Sequence, residues 1–270
     1  MKIKLVLFTI VTLLFVYTSF SVAQDFTFEK ARQDYIFSED NYKTKLFDFN
    51  LKKASYNKNP TLSLKEEFRL SSFEFTKSRN EYIKNYLAML RMKTFESTGL
   101  NNDQKTKIYE KVDKEIEWFA NRKNEYKKEF TLEEVIQKSK EEDNKFETET
   151  LPTIYYTLSY NSLGDSVVIK NKHLKIYEVL KNEANSLATL GRADENLFKR
   201  WFNDIERELS LISEIENLTK VASEKIIGED KYQRQSGYED AIEEISKVKA
   251  NLYRLNGFIM ELENVIITKR

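Results

Sequence analysis

The fold is decided by the stretch Phe28–Tyr56, FEKARQDYIFSEDNYKTKLFDFNLKKASY, in which an aromatic residue recurs at every seventh position. A second stretch follows Pro60 and has the same spacing, with Phe68, Phe75, Tyr82 and Met89. This spacing places the side chains on one stripe of a helix, and an apolar stripe is stable only against a partner. We therefore predict a long antiparallel, coiled-coil-like hairpin over residues 26–97 that folds back at Pro60.

The position of the turn also predicts which residues face each other. Residues at equal distances from Pro60 are opposite, so that Tyr42 faces Ser78 and Tyr82 faces Ser38. Large residues then meet small ones, which allows the two helices to interdigitate. In the same register Phe68 and Phe75 face Lys52 and Lys45, whose methylene stems can cover a ring.

Apolar residues at spacings of three and four predict helices through most of the remaining chain. Ser63-x-x-Glu66 and Thr131-x-x-Glu134 have the pattern of capping boxes at helix starts. Further helices are expected to begin near Asp103 and Asp194, and Gly191 is a candidate left-handed cap. The most regular stripe belongs to a last helix over about 237–268 and comprises Ala241, Ile245, Val248, Leu252, Leu255, Ile259, Leu262 and Ile266.

Two adjoining stretches are harder to interpret. Residues 138–150 are charged and poor in apolar side chains, which favours an exposed or loosely held connection. In residues 151–170 alternating apolar positions allow a β-hairpin, whereas Pro152 at a first helical position allows a helix. We favour the helix, because a lone hairpin would have no other strand to join.

The N-terminus has the layout of a secretory signal peptide. Lys2 and Lys4 precede an uncharged, apolar run, and Ser21-Val22-Ala23 offers small residues at a cleavage site. We predict a signal peptide over residues 1–23, with an uncleaved membrane anchor as the alternative. Under either interpretation the rest of the chain is exported to the periplasm, the cell envelope or the outside of the cell.

The remaining chain is expected to form an all-α, elongated protein with three parts. Residues 24–137 contain the hairpin and a third helix, and residues 138–165 form the charged connection and the ambiguous segment. Residues 166–270 form a C-terminal helical bundle.

The composition excludes several kinds of chemistry. With no Cys and a single His, the chain cannot build a zinc site, an iron–sulfur cluster, a disulfide scaffold or a thiol active site. Its 44 basic and 44 acidic residues balance, so it lacks the positive charge of a general nucleic-acid binder. We predict no catalytic residues, no metal ligands, no cofactor and no nucleic-acid partner, and a membrane contact only through an uncleaved N-terminus.

Isolated chemical groups are interpreted as ordinary helix residues. His173 is expected to be a surface or boundary residue, since no second His accompanies it. The acidic clusters, such as Glu141-Glu142-Asp143, have Lys residues nearby and indicate solvated helix faces with i,i+4 pairs.

The predicted hairpin has a second apolar face that two helices cannot bury between them. It must be covered by the third helix, by the C-terminal bundle or by another chain, and we take it as the candidate interaction face. Its residues are Ile36, Phe37, Phe47, Leu51, Leu70, Phe73, Ile83 and Leu90.

These observations predict an exported, non-catalytic helical protein that acts through its surfaces. The first hypothesis is a scaffold, spacer or protein-interaction module of the cell envelope, which binds a protein partner or a second copy of itself. The alternative is an envelope holdase chaperone or an adaptor of an export complex. A spacer needs only a featureless surface, whereas an adaptor or holdase needs an exposed apolar patch or a cavity between its arms.

Overall fold

The computed structural model describes residues 27–228 and 230–269, with the side chains of Glu195 and Lys231 left out. The predicted signal peptide or anchor, residues 1–23, lies outside the described residues. The described part is all-α and contains no β-strand, as predicted. Residues 151–170 are helical throughout, which confirms the helix and excludes the hairpin.

The described residues form seven α-helices, which are α1 (Phe28–Lys58), α2 (Leu62–Glu96), α3 (Asn102–Glu125), α4 (Leu132–Lys145), α5 (Leu151–Thr189), α6 (Glu195–Ile226) and α7 (Lys231–Lys269). A π-helical turn, Phe146–Thr150, joins α4 to α5 without a break.

Polar caps set most of these helix ends. The capping box at Thr131 and Glu134 is confirmed, with both reciprocal hydrogen bonds present. The predicted box at Ser63 is wrong, because Thr61 accepts the hydrogen bond of the Leu64 N–H and α2 begins at Leu62. Gly191 has a φ of 68°, which confirms the left-handed cap after α5.

The first two helices lie antiparallel, and their aromatic rings interleave. Tyr82 of α2 lies between Tyr35 and Tyr42 of α1, at ring-centroid distances of 5.4 and 5.1 Å. Phe49 lies likewise between Phe68 and Phe75, at 5.6 and 4.7 Å. Rings that recur every seven residues on both helices thus fill the gaps between one another.

This interleaving corrects part of the predicted seam. Phe68 and Phe75 contact rings of α1 rather than the lysine stems. Lys52 and Lys45 instead reach past the seam to Glu67, at 2.7 Å, and Glu74, at 3.6 Å. Ring-on-ring contact buries more apolar surface than a lysine stem can, and the ammonium groups find carboxylates at the edge.

Helix α2 is central to the N-terminal half of the described chain, because α1, α3, α4 and α5 all pack against it. One core lies between α2, α3 and the first half of α5, and it includes the fully buried Leu87, Ile108 and Tyr156. The ends of α6 and α7 reach the same core through Ile226 and Ala241.

A second core lies in a bundle of three helices, α6, α7 and the second half of α5. All eight residues of the predicted α7 stripe are buried, which confirms that interpretation. The helix itself begins at Lys231 rather than near residue 237, because Gly237 packs closely against α6 instead of breaking the helix.

The prediction of a loosely held connection over residues 138–150 is wrong. The segment is helical, and Glu142, Lys145 and Thr150 are buried. Glu115 of α3 accepts hydrogen bonds from the Lys145 ammonium at 2.9 Å and the Thr150 hydroxyl at 2.7 Å. Charged residues here point inward to partners on neighbouring helices, which a count of apolar residues does not reveal.

The π-helical turn ends at Thr150, two residues before Pro152. In an α-helix the carbonyl of Thr148 would accept from the N–H of residue 152, but proline has none. The guanidinium of Arg234 on α7 donates to that carbonyl instead. The helix therefore continues through the proline with a local change of register, supported by a side chain from α7.

Candidate functional site

A half-open groove lies between the α1–α2 hairpin and the α4–α5 segment. Its volume is about 470 Å³, within the range of ligand pockets. Aromatic side chains from five elements line it, namely Tyr35, Tyr42, Tyr82, Tyr86, Phe119, Phe146 and Tyr155. The groove is therefore a product of tertiary packing, with each wall contributed by a different part of the chain.

Stacked rings make the walls of the groove rigid. Tyr42 and Tyr82 are nearly parallel, with an interplanar angle of 8°. On the opposite wall Tyr155 of α5 stacks on Tyr238 of α7, with centroids 3.8 Å apart. Rings held in this way line the groove, and a ligand that binds there orders them at little further cost in conformational entropy.

The phenol groups supply the polar character of the apolar walls. The hydroxyls of Tyr35 and Tyr82 lie 3.4 Å apart. Within the described part of the chain, those of Tyr42, Tyr86 and Tyr155 have no hydrogen-bond partner. Phenols with an ordinary pKa are already neutral at physiological pH and can donate hydrogen bonds, and burial raises the pKa of Tyr35 and Tyr86 further.

One end of the groove is charged. Arg79 of α2 reaches Glu142 and Asp143 of α4, at 2.7 and 2.6 Å. Its guanidinium is thus held in a fixed orientation at the groove edge, with a carboxylate on each side. This end offers both a donor and acceptors to a ligand, whereas the rest of the groove offers rings and hydroxyls.

The carboxylate of Glu142 corrects the interpretation of Glu141-Glu142-Asp143 as a solvated face. Its side chain is 1% exposed and lies between two arginines, since Arg122 of α3 also donates to it, at 3.2 Å. Asn80 of α2 donates to the same oxygen, at 3.1 Å. A buried carboxylate needs such partners, so Glu142 fastens α4 to α2 and α3 and holds the wall of the groove in place.

The predicted interaction face is divided by the structure. Phe73, Ile83 and Leu90 are buried against α3, α4 and α5, so these three belong to the core. Five residues remain exposed, namely Ile36, Phe37, Phe47, Leu51 and Leu70. Four of those five lie on α1, because α2 is covered on its far side by the rest of the protein and α1 is not.

The single histidine and the acidic residues of the described chain do not form a metal site. His173 is half-buried. Its ring nitrogens contact the carbonyl of Ile169 in α5 and the side chain of Asn256 in α7. No group of three or more His, Asp or Glu side chains in residues 27–228 and 230–269 is placed to hold a metal ion. In the same residues no helix combines the length and the apolarity needed to cross a bilayer.

Sequence reasoning missed the groove. The heptad spacing of Tyr35, Tyr42 and Tyr82 predicts only the hairpin seam. No local pattern links these residues to Phe146 or Tyr155 on distant segments. The one available signal was the density of tyrosines, which can supply hydroxyl groups where phenylalanine cannot. No family model matches this chain, and neither a curated protein nor a solved structure matches it.

Proposed function

We propose that this chain is an exported, non-catalytic protein-interaction module, and that it holds an extended segment of a partner protein in the tyrosine-lined groove. The observation that carries the proposal is the groove itself, with its aromatic walls, its unpartnered phenols and its charged end. Extended peptides expose alternating side chains and unsatisfied carbonyls. Rings bury the side chains, and neutral phenols donate to the carbonyls.

The same observation favours an interaction module or adaptor over a passive spacer. A spacer needs only length and rigidity, and its apolar residues can all be satisfied internally. This chain instead leaves a cavity between its hairpin arm and its body, as well as apolar residues exposed on α1. Export to the cell envelope, inferred from the N-terminal sequence, is part of the proposal.

Site-specific photo-crosslinking in the producing cell tests this function. Benzoylphenylalanine is placed at Tyr86 in the groove and, as a matched control, at Tyr253, which is 80% exposed on α7. We expect crosslinks to one or a few defined proteins from position 86 only. Many unrelated clients at position 86 would support the holdase alternative, and equal or absent crosslinking at the two positions would refute the groove as the site.

A further inference from the structure

We propose that the outer face of α1 is a self-association surface, through which two copies of the chain pair in antiparallel orientation. This outer face is the stripe of α1 opposite its contact with α2. It is defined here by Glu29, Ile36, Asp40, Phe47, Leu51 and Lys58. The inference concerns a different surface from the groove and does not depend on the proposed function.

The outer face of α1 is exposed in the single chain. Among the residues that the structure describes, α2 is the only helix packed along α1. Phe47 is 72% exposed and Leu51 is 52% exposed, while the adjacent Phe37 is 79% exposed. Two phenyl rings and two aliphatic side chains on one helix face leave a large apolar area in water, and burial of that area is favourable.

The intervals between residues of the outer face are the same when they are read from either end of α1. Its six residues follow one another at intervals of seven, four, seven, four and seven positions. The same intervals are read from either end, so an antiparallel copy places every residue of the stripe opposite another residue of the stripe. Ile36 then lies opposite Leu51, and Asp40 lies opposite Phe47, each twice because the pair is symmetric.

Charge selects the antiparallel orientation. In that orientation Glu29 at one end faces Lys58 at the other end of its partner, again twice. Near the centre Asp40 lies one turn from Lys43 of the other copy. That lysine already pairs with Glu39 of its own helix at 2.8 Å, so the end pairs of Glu29 and Lys58 carry the preference. A parallel pair would instead place Glu29 against Glu29, Asp40 against Asp40 and Lys58 against Lys58, which is unfavourable.

Pairing through the outer face leaves the groove free. Tyr35 and Tyr42, which line the groove, lie on the side of α1 that meets α2. Phe47 and Leu51 lie on the other side. A dimer built in this way would present two grooves, one on each copy.

The absence of cysteine allows a direct test by single-cysteine crosslinking of the full chain. In the antiparallel pair the two copies of residue 43 lie beside the two-fold axis, whereas the two copies of residue 58 are more than about 40 Å apart. A short bis-maleimide should therefore link Lys43→Cys into a dimer and leave Lys58→Cys monomeric. A mixture of Glu29→Cys and Lys58→Cys chains should link to each other.

Sedimentation equilibrium supplies the second measurement. The variant Phe47→Asp with Leu51→Asp should weaken self-association roughly 100-fold or more, because it would bury unpaired carboxylates in the pair. Tyr253→Asp on α7 is the matched control, exposed to a similar degree, and should not change it. Circular dichroism verifies that both variants remain helical.

Three results would overturn the proposal. The first is a wild-type chain that stays monomeric at all concentrations reached. The second is equal linkage at positions 43 and 58, which would indicate parallel pairing or random collision. The third is binding of the outer face of α1 to anionic phospholipid vesicles, with no dimer detected when vesicles are absent. This result would identify a membrane surface as the partner of that face.

Discussion

Gly99 and Gly164 meet backbone to backbone, and a methyl group added at Gly99 would lie 1.9 Å from the carbonyl oxygen of Gly164. Gly99 lies in the connection between α2 and α3, whereas Gly164 lies inside α5. No residue with a side chain allows so close an approach. The pair of glycines therefore lets α5 dock against the end of the hairpin.

The surroundings of Gly99 and Gly257 predict opposite effects when each glycine is replaced by alanine. Gly99→Ala should lower the free energy of unfolding by about 1–3 kcal/mol, because the two backbones must move apart. Gly257→Ala should raise it by about 1 kcal/mol, since nothing lies within 4 Å of that position on α7 and alanine favours the helix. Urea denaturation measures both, and equal effects would contradict the close approach.

The neighbouring acids Glu141 and Glu142 should differ sharply in their contribution to stability. Glu142→Ala removes the buried carboxylate that Arg79 and Arg122 share. The two arginines keep only their more exposed partners, so the substitution should cost about 1.5–3 kcal/mol. Glu141→Ala removes an exposed partner of Arg122 and should cost less than about 1 kcal/mol. Denaturant unfolding of the two variants checks this, and similar costs would show that Glu142 is not buried between the arginines.

The ring contacts between α1 and α2 predict a second contrast within one helix. Phe49→Ala removes a ring that stacks on Phe75 and packs against Phe68, and it should cost about 2–3 kcal/mol. Phe47→Ala removes an exposed ring and should change the stability by no more than about 0.5 kcal/mol. Thermal unfolding is measured at low protein concentration, where self-association does not contribute. A larger effect at position 47 would contradict the assignment of Phe49, rather than Phe47, to the contact between α1 and α2.

Buried tyrosines predict a loss of stability in alkali. Burial raises the pKa of Tyr156, Tyr160 and Tyr177 above the ordinary value of about 10. A group whose pKa is raised on folding stabilises the native state at lower pH, and that contribution is lost as the pH rises because the unfolded chain releases the proton first. The protein should therefore become less stable above about pH 10.

The ultraviolet absorbance of phenolate measures this directly. We expect one class of tyrosines to ionise near pH 10 and a second class to ionise only together with unfolding. Tyr177→Phe keeps the ring and removes the hydroxyl that donates to Glu206, so the second class should lose one member. Ionisation of all tyrosines in a single early transition would contradict their burial.

The parts of the fold that sequence patterns predicted correctly are those that depend on one helix at a time. The α7 stripe is buried from Ala241 to Ile266 because a spacing of three and four always forms one helix face. The capping box at Thr131 and the left-handed cap at Gly191 are likewise local. The box at Ser63 was wrong for a local reason as well, because Thr61 is an equally good cap and comes first.

The errors arose where a residue's role depends on a distant segment. Glu141 and Glu142 are indistinguishable in the sequence, and only the arrival of Arg79 and Arg122 from other helices makes one of them buried. The division of the hairpin's second apolar face has the same origin. Phe73 is buried because α3 and α4 return over α2, whereas Phe47 has no helix above it among the described residues.

By itself the sequence determined the helical class and the buried face of the last helix, because hydrophobic periodicity and end signals act within a few turns of chain. Only the tertiary structure decided which apolar face stays exposed, which carboxylate is buried and where a groove forms. Those outcomes depend on segments far apart in the chain, such as Tyr42, Phe146 and Tyr155, whose meeting no local pattern encodes.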